Sequence, residues 1–297
     1  IADVNTVSAL DDNPPEGLAI GATYYYKVFT FDTYGTVTPS NERSATTVPL
    51  AYPVADAMDD LRNWVRGTDS ADQPTWGPLS PGRDGETGTC IASSPTTDYP
   101  NSSSTYILTA VDLTAAVHPV LSFWDQPAFQ QNADYGSVEV SADGNNWQRP
   151  YVVTGVRAAW ARQRIDLTRW RGQTNLRIRF RVATDGGTTN AGWRIDDVTI
   201  GEADGWTTFA FPFTDGFESG LGNWQASRWT VAADAAHGGA ASVRSSADGN
   251  LWNSGYEQLL LNGEIDLAAA QNPQLTFWMT GHAYWCSGFN VYASTDG

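Results

Sequence analysis

Residues 56–64 read DAMDDLRNW, and residues 215–224 read DGFESGLGNW. The likeness between these two regions continues along the chain in the same order, through PVLSFWDQ (119–126) with PQLTFWMT (273–280) and SVEVSADG (137–144) with NVYASTDG (290–297). An internal repeat of this kind marks a structural unit that occurs more than once. The sequence therefore predicts two copies of one module.

The first copy continues through NLRIRFRVATDGG (175–187) to WRIDDVTI (193–200), and the second copy stops before any counterpart of these stretches. We therefore expect a complete module over residues 50–203 and the first two-thirds of a second module over residues 204–297. Residues 1–49 are expected to be the end of a different module. The chain is predicted to be a fragment that begins inside a domain, and its incomplete modules are completed either by further polypeptide or by strands of a neighbouring subunit.

The composition favours an all-β fold. The 297 residues include 28 Gly, 15 Pro, 13 Trp, 12 Tyr and 11 Phe, which is typical of short aromatic strands joined by tight turns. A chain of 297 residues is long enough for two or three domains of ordinary size. We predict tandem β-sandwiches.

The charge balance excludes some partners. Asp and Glu (33) outnumber Lys and Arg (17), which gives a formal net charge of -16. Such a chain is repelled by nucleic acid and by anionic membrane surfaces. No apolar stretch is long enough to span a membrane, and the first residues lack the pattern of a signal peptide. The excess acid suits a secreted, soluble protein, or one that binds calcium.

Residues 18–48 carry an alternating pattern around TYYYKVF and a turn at Asp32 to Gly35, which predicts a strand, a hairpin turn and a second strand. This segment resembles the second half of a fibronectin type III module, on the residues Leu18, Gly21, Thr23, Tyr24, Pro39, Ser40 and Asn41. The resemblance implies that Tyr24 forms a packing corner. Residues 49–55 (PLAYPVA), with two prolines, are predicted to be a stiff connector.

The patterns DGFESGLGNW and WRIDDV resemble MAM-like or concanavalin-like jelly rolls of bacterial extracellular multidomain proteins. This resemblance covers residues 56–297 and implies modules without catalysis. Such modules bind glycans or proteins, or space other modules, and often hold a structural calcium ion.

Paired acidic residues are the candidate calcium ligands. In WRIDDVTI the apolar residues change face between Ile195 and Val198, which predicts a β-bulge at Asp196 and Asp197. A bulge that turns these carboxylates toward Asp59 would supply the oxygen ligands that calcium prefers. The predicted ligands are Asp59, Asp60, Asp196, Asp197 and, as the counterpart of Asp59, Glu218. The alternative is that these acids cap turns and stay solvated.

The tryptophans divide into two groups. One group lies within the repeated patterns and is predicted to pack in cores: Trp64, Trp124, Trp193, Trp224 and Trp278. The other group lies in turns or irregular segments and offers aromatic platforms for a ligand such as a sugar ring: Trp147, Trp160, Trp252 and Trp285.

Signs of catalysis are absent from the sequence, which has no G-x-S-x-G or H-E-x-x-H motif and no Cys/His pairing. Adjacent carboxylates such as Asp196 and Asp197 cannot straddle a glycosidic bond. The pairing of Cys90 and Cys286 is left open. Arg177, Arg179 and Arg181 alternate with apolar residues, which predicts either a solvated strand face or an interface with an acidic surface.

We predict a non-catalytic extracellular or cell-surface protein, a structural or adhesive segment that binds glycans, extracellular proteins or copies of itself. One alternative is the accessory binding region of a secreted protease or glycosidase. Another is a filament subunit completed by strands of its neighbour.

Overall fold

A computed structural model describes residues 22–31, 34–72, 75–85, 88–226, 229–245, 258–281 and 288–293. Within these residues the chain is all-β, with 22 strands and two 3₁₀ helices, Arg83–Gly85 and Thr168–Trp170. The predicted fold class is confirmed. None of the helices in the described part of the chain could span a membrane.

The N-terminal region is a long hairpin of four short strands: β1 (Thr23–Tyr26), β2 (Phe29–Phe31), β3 (Val37–Pro39) and β4 (Arg43–Thr46). The inner pair β2–β3 and the outer pair β1–β4 are both antiparallel. The predicted strands are therefore present, and Asp32 and Thr33 of the predicted turn lie outside the described residues. Residues 18–21 of the fibronectin-like signature lie outside the described residues, and the corner role of Tyr24 stays a prediction.

The first copy is a sandwich of two six-stranded sheets. Sheet I contains β5 (Leu50–Ala51), β7 (Val65–Thr68), β10 (Ser104–Asp112), β12 (Tyr135–Ser141), β13 (Gln148–Val153) and β15 (Leu176–Ala183). Its order is β13-β12-β15-β10-β5, and β7 pairs with β10 beside β5. Sheet II contains β6 (Val54–Asp56), β8 (Gly77–Leu79), β9 (Cys90–Ala92), β11 (Pro119–Ala128), β14 (Ala161–Asp166) and β16 (Gly192–Glu202). Its order is β14-β11-β16-β9-β8, and β6 pairs with β16.

The predicted connector at residues 49–55 is wrong. Leu50 begins β5, which runs parallel to the end of β10 in sheet I, and Val54 begins β6, which pairs with β16 in sheet II. The two prolines fall just before and between these strands, where no ladder hydrogen bond needs their missing N–H. This segment therefore joins the two sheets.

The core lies between the sheets and is filled by alternating strand positions. In β15, Leu176, Ile178 and Phe180 are fully buried, and the arginines between them point to the other face. The rings of Phe123 and Trp193 both meet Phe180 edge to face, with centroids 5.0 and 5.6 Å away. Aromatic contacts of this geometry add to the stabilisation from burial.

The predicted bulge in β16 is present. Ser122 pairs with Thr199, and two residues further along β11, Trp124 pairs with Asp196, so β16 carries one extra residue. The extra residue is Asp197, whose backbone has a φ of 47°. The bulge lets Ile195 and Val198 both face the core despite their spacing.

One carboxylate is completely buried between the sheets. Asp125 has no exposed surface. It accepts hydrogen bonds from Gln163 Nε2 (2.9 Å), Tyr151 Oη (3.1 Å) and Trp193 Nε1 (3.0 Å), and it pairs with Arg157. All its acceptor sites are therefore used, as a buried charge requires.

The second copy repeats three of the strand pairings of the first. Its strands are β17 (Thr207–Ala210), β18 (Trp224–Ala226), β19 (Thr230–Ala232), β20 (Ser242–Arg244), β21 (Leu259–Leu261) and β22 (Gly263–Asp266). The parallel pair β17–β22 matches β5–β10, the antiparallel pair β18–β21 matches β7–β10, and β19–β20 matches β8–β9. The duplicated sequence therefore has a duplicated topology.

The loop that opens each copy also has the same hydrogen bonds. Asp56 and Asp215 each accept a bond from the backbone N–H two residues further on, at 2.8 Å in both copies. Each also accepts from the indole N–H of the next tryptophan, at 3.0 Å for Trp64 and 2.9 Å for Trp224. The repeated aspartate thus fixes the tryptophan in both copies.

Three of the tryptophans predicted to be core residues are not fully buried. Trp64 and Trp193 are buried as predicted, but Trp224 is half-buried, Trp124 is half-buried on the outer face of sheet II, and Trp278 is 78% exposed. In the first copy, the strand that matches residues 273–280 is β11, which lies between β14 and β16. Among the residues that the structure describes, no strand pairs with the segment that contains Trp278.

Candidate functional site

The outer face of sheet I carries a cluster of aromatic and charged side chains that we call the Trp–Arg face. Strands β10, β12, β13 and β15 and the β12–β13 connection contribute to it. Its members are Tyr106, Glu139, Trp147, Arg149, Arg179 and Arg181. Cross-strand pairing places Glu139 opposite Arg179, and Tyr106 opposite Arg181, so these four side chains share one face of the sheet.

Glu139 is the buried centre of this face, with only 2% of its surface exposed. Arg179 donates to it from Nε (2.7 Å) and Nη2 (2.6 Å), and Arg149 donates from Nε (3.1 Å). Ser137 Oγ donates at 3.1 Å, and Arg181 Nη1 lies 3.5 Å away. Burial alone would raise the pKa of the Glu139 carboxyl, but the charge and hydrogen bonds of Arg179, together with Arg181 and Arg149, outweigh it and lower the pKa.

Arg179 is held between two aromatic rings. Its guanidinium carbon lies 4.2 Å from the centroid of the Trp147 ring and 4.8 Å from that of Tyr106. Cation–π contacts of this length orient both rings against the sheet. Gly67 on β7 makes room for Tyr106, because a Cβ at this position would overlap the tyrosine ring.

The connection between β12 and β13 brings Trp147 over the sheet. Asp143 Oδ1 accepts the backbone N–H groups of Asn145 (2.8 Å) and Asn146 (2.7 Å), and Gly144 adopts a φ of 78°. Arg177 Nη1 donates to the carbonyl of Asp143 at 3.2 Å, which ties this turn to β15. This Asp-Gly turn therefore positions Trp147 over sheet I.

The predicted platforms do not form one group. Trp147 lies in the Trp–Arg face, but Trp160 is half-buried just before β14, in sheet II. Trp252 and Trp285 lie outside the described residues. The alternation of the arginines on β15 predicted a solvated face or an interface. Instead, the side chains of Arg179 and Arg181 are only 12% and 16% exposed, because Trp147, Tyr106 and the carboxylates cover them.

Sequence reasoning missed Tyr106, Glu139 and Arg149 as members of this face. Tyr106 and Glu139 occupy outward positions of strands whose inward positions are apolar, a signal that marks a polar face without marking a site. Arg149 follows a turn, and its contact with Glu139 depends on pairing across a bulge between β12 and β13. Long-range pairing of this kind is not readable from local sequence.

Two of the predicted calcium ligands approach the same loop. Asp59 Oδ1 accepts the backbone N–H of Thr89 at 2.8 Å. Asp196, which is 2% exposed, accepts the backbone N–H of Arg83 at 2.8 Å. A Cβ placed at Gly82 would lie 3.0 Å from Asp196 Oδ2 and 3.1 Å from the carbonyl oxygen of Thr89, so these two oxygens lie beside one point. Both carboxylates already accept backbone N–H groups, and a calcium ion at this loop stays a prediction.

The other three predicted ligands are engaged elsewhere. Asp60 accepts bonds from Arg62 Nε at 2.9 Å, and Asp197 Oδ2 pairs with Arg83 at 3.0 Å. Glu218 Oε1 accepts from the backbone N–H of Ala240 (3.0 Å) and Ala241 (3.1 Å). Within the described ranges, no three His, Cys, Asp or Glu side chains form a group that could hold a metal ion. The five carboxylates therefore do not form one cage.

Asp197 instead helps to form a second stacked pair, on sheet II. Arg83, paired with Asp197, lies with its guanidinium carbon 4.6 Å from the centroid of the Trp124 ring. In the second copy, the ring of His237 stacks on Trp278, the counterpart of Trp124, at 3.8 Å. The repeated tryptophan therefore has a stacked partner in each copy, although Trp278 is still 78% exposed.

Comparison with known proteins places only part of the chain. No protein-family model matches it. Bacillopeptidase F of Bacillus subtilis (strain 168) is 32% identical over 83 residues, which is 28% of this chain and 6% of that protein. The chain thus matches only a small part of this curated relative.

Solved structures with a similar arrangement include the K1 cleaved adhesin domain of Lys-gingipain from Porphyromonas gingivalis W83. It is 18% identical with a TM-score of 0.38, over 50% of this chain and 98% of that domain. A family 11 carbohydrate-binding module from Clostridium thermocellum is 11% identical with a TM-score of 0.35, over 50% of this chain and 94% of that module. The fibronectin-like and MAM-like assignments stay predictions.

Proposed function

We propose that this chain is a non-catalytic, extracellular binding region that recognises glycans through the Trp–Arg face. The observation that carries the proposal is the fixed position of Trp147, whose ring Arg179 holds at 4.2 Å over the sheet while Arg179 itself is locked by buried Glu139. Aromatic rings held in place beside charged hydrogen-bonding groups suit sugars, which present apolar ring faces and polar edges. The acidic net charge of -16 is compatible with a soluble secreted protein.

The chemistry of the face favours binding over catalysis. A glycosidase needs a general acid whose carboxyl is protonated near neutral pH, together with a second carboxylate. The pKa of Glu139 is lowered, so this carboxyl stays ionised and cannot donate a proton. Its oxygens are already occupied by arginine and serine donors.

Replacing Trp147 with alanine is expected to weaken glycan binding about tenfold, the equivalent of ~1.4 kcal/mol, because the platform is lost and Arg179 loses one of its two ring contacts. The measurement is affinity gel electrophoresis against a panel of soluble polysaccharides, followed by calorimetric titration of those retained. Trp160→Ala is the matched control, since Trp160 is also half-buried but lies outside the Trp–Arg face, just before β14 of sheet II. Equal losses in both variants, or retention of no polysaccharide by the unaltered chain, would refute the proposal.

A second candidate function is the accessory binding region of a secreted protease, and the match to bacillopeptidase F favours it. In this function the two modules tether a catalytic domain to a surface. The test is to compare the full-length parent protein with a version that lacks these residues. Unchanged retention on the glycan that the isolated chain binds would count against a tether.

We also propose a structural calcium ion held by Asp59, Asp196 and backbone carbonyl oxygens of the loop around Gly82. The ion would cross-link the loop before β9 to the bulge of β16. Because a ligand that binds only the folded state stabilises it by about 2.7 kcal/mol at 100 times its Kd, chelation should lower the Tm by about 5–10 °C. Differential scanning calorimetry with and without chelator measures this shift.

Variants separate the proposed ligands from their neighbours. Asp196→Asn should abolish the response to chelator, and Asp60→Asn should keep it, because Asp60 is engaged with Arg62. A Tm that is the same with chelator and with added calcium would remove the ion from the account.

A further inference from the structure

We infer, on the basis of the proposed function, that the Trp–Arg face takes an acidic glycan, and that Arg149 pairs with the carboxylate of a hexuronic acid residue. The charge of this face is opposite in sign to that of the whole chain. The whole chain has 17 basic and 33 acidic residues. On and beside this face the balance is reversed, with four arginines against three carboxylates: Arg149, Arg177, Arg179 and Arg181, against Asp69, Glu139 and Asp143.

The arginines differ in what they can still bind. Arg179 donates to Glu139 from two nitrogens and lies 3.5 Å from Asp69 through the third, and its side chain is 12% exposed. Arg181 is shared between Asp69, Glu139 and Ser104. These two guanidinium groups are therefore structural.

Arg149 is different. Its side chain is 44% exposed, and only Nε donates to Glu139, at 3.1 Å. Its guanidinium carbon lies 5.4 Å from the centroid of the Tyr135 ring, and its terminal amino groups donate to no residue that the structure describes. The bond from Nε fixes the plane of the guanidinium, which leaves its terminal edge for a ligand.

That terminal edge matches a carboxylate. Two parallel N–H donors of a guanidinium bind the two oxygens of a carboxylate, and such bidentate pairs are stronger and more specific than neutral hydrogen bonds. Arg149 and Trp147 are two residues apart, so their Cα atoms are separated by at most about 7 Å. A sugar on the tryptophan ring can therefore place its own carboxylate, or that of the next sugar, at Arg149.

The test pairs each acidic polysaccharide with a neutral twin. Hexuronans, such as polygalacturonate and alginate, are compared with their carboxyl-reduced forms, which keep the linkages but lose the charge. The unaltered chain should bind at least one hexuronan at least tenfold more tightly than its reduced form, and the difference should shrink as salt is raised. Calorimetric titration at two salt concentrations gives both numbers.

Variants locate the charge effect. Arg149→Gln should remove the preference for the acidic form, because it lowers the affinity for the acidic form more than the affinity for the reduced form. Arg149→Lys should restore part of the preference, since an ammonium attracts the carboxylate without the bidentate geometry. Arg62→Gln, which removes an exposed arginine from the loop that opens the first copy, is the control and should keep the preference.

The outcomes distinguish a failure of the acidic-ligand inference from a failure of the proposed glycan binding. Equal affinity for acidic and reduced forms, or equal loss of both in Arg149→Gln, would overturn the acidic ligand and leave glycan binding standing. Failure of every polysaccharide to bind would overturn both. Retention of the acidic preference in a folded Arg149→Gln variant, checked by near-UV circular dichroism, would refute the role of Arg149.

Discussion

Replacing Asp125 with alanine is expected to lower the free energy of unfolding of the first module by about 3–5 kcal/mol, the usual cost of breaking a buried ion pair. Asp125 has no exposed surface and accepts bonds from Gln163, Tyr151 and Trp193 in addition to Arg157. The variant leaves three buried polar groups without this acceptor, and Arg157 keeps only backbone carbonyl oxygens as partners. Urea denaturation, followed by tryptophan fluorescence, measures the loss.

Two variants make this result specific. Asp125→Asn keeps the shape of the side chain and one acceptor oxygen, and should lose less stability than Asp125→Ala. Asp60→Ala removes an exposed partner of Arg62 and should change stability by no more than ~1 kcal/mol. A loss below ~1 kcal/mol in Asp125→Ala would show that Asp125 is not the hub that the hydrogen bonds describe.

Replacing Glu139 with alanine is expected to cost about 3 kcal/mol of stability and to weaken glycan binding at least tenfold. The Glu139 carboxylate accepts hydrogen bonds from both Arg149 and Arg179. The orientation of the Arg149 guanidinium and the contact of Arg179 with Trp147 therefore both depend on it. Glu42→Ala is a suitable control, because Glu42 is half-exposed and pairs with Lys27 at 3.4 Å. Binding by a folded Glu139→Ala variant with unchanged affinity would contradict the assignment of this face.

The Glu139 carboxyl should also make the stability of the fold depend on pH, in a direction that its pKa determines. The pKa of Glu139 in the folded state is below its ordinary value of 4.5. A group with a depressed folded pKa contributes stability above its unfolded pKa and loses it as pH falls through the folded pKa. The stability difference between the unaltered chain and Glu139→Gln should therefore be full at pH 7 and shrink below about pH 4.5. A difference that grows on acidification would reverse this account.

The sequence predicted the features that depend on local pattern. The repeat predicted that β7 and β8 have counterparts with the same pairings in the second copy, because both strands lie within the repeated sequence. The change of face between Ile195 and Val198 predicted the bulge, since strand side chains alternate with a period of two. The alternation in β15 likewise predicted which of its residues enter the core.

The predictions that were wrong depended on partners distant in sequence. Residues 49–55 lack periodicity, yet they contribute strands to both sheets, because β5 pairs with β10 and β6 pairs with β16. Trp124 lies in an apolar strand, but its parity places it outside, under Arg83. Nothing in the local sequence distinguishes Arg149 and Glu139 from other strand residues. They come into contact only because β12 pairs with β13 and β15. Burial of a polar strand face cannot be inferred from the strand alone.

Assembly with further copies of the chain stays a prediction. In the second copy, Leu275, Phe277 and Met279 are 69%, 51% and 64% exposed. Their counterparts belong to β11, a central strand of the first copy. A strand that pairs with this segment would cover them, whichever polypeptide supplies it.

The most direct test of the account is to locate a bound glycan on the molecule by NMR, with the chain isotopically labelled and titrated with the polysaccharide that it retains most strongly. The account predicts chemical-shift changes confined to the outer face of sheet I, at Tyr106, Glu139, Trp147 and Arg149, with the glycan recovered at its original length. Shift changes centred on Trp124 and Arg83 of sheet II with sheet I unaffected, or a shortened glycan, would contradict it.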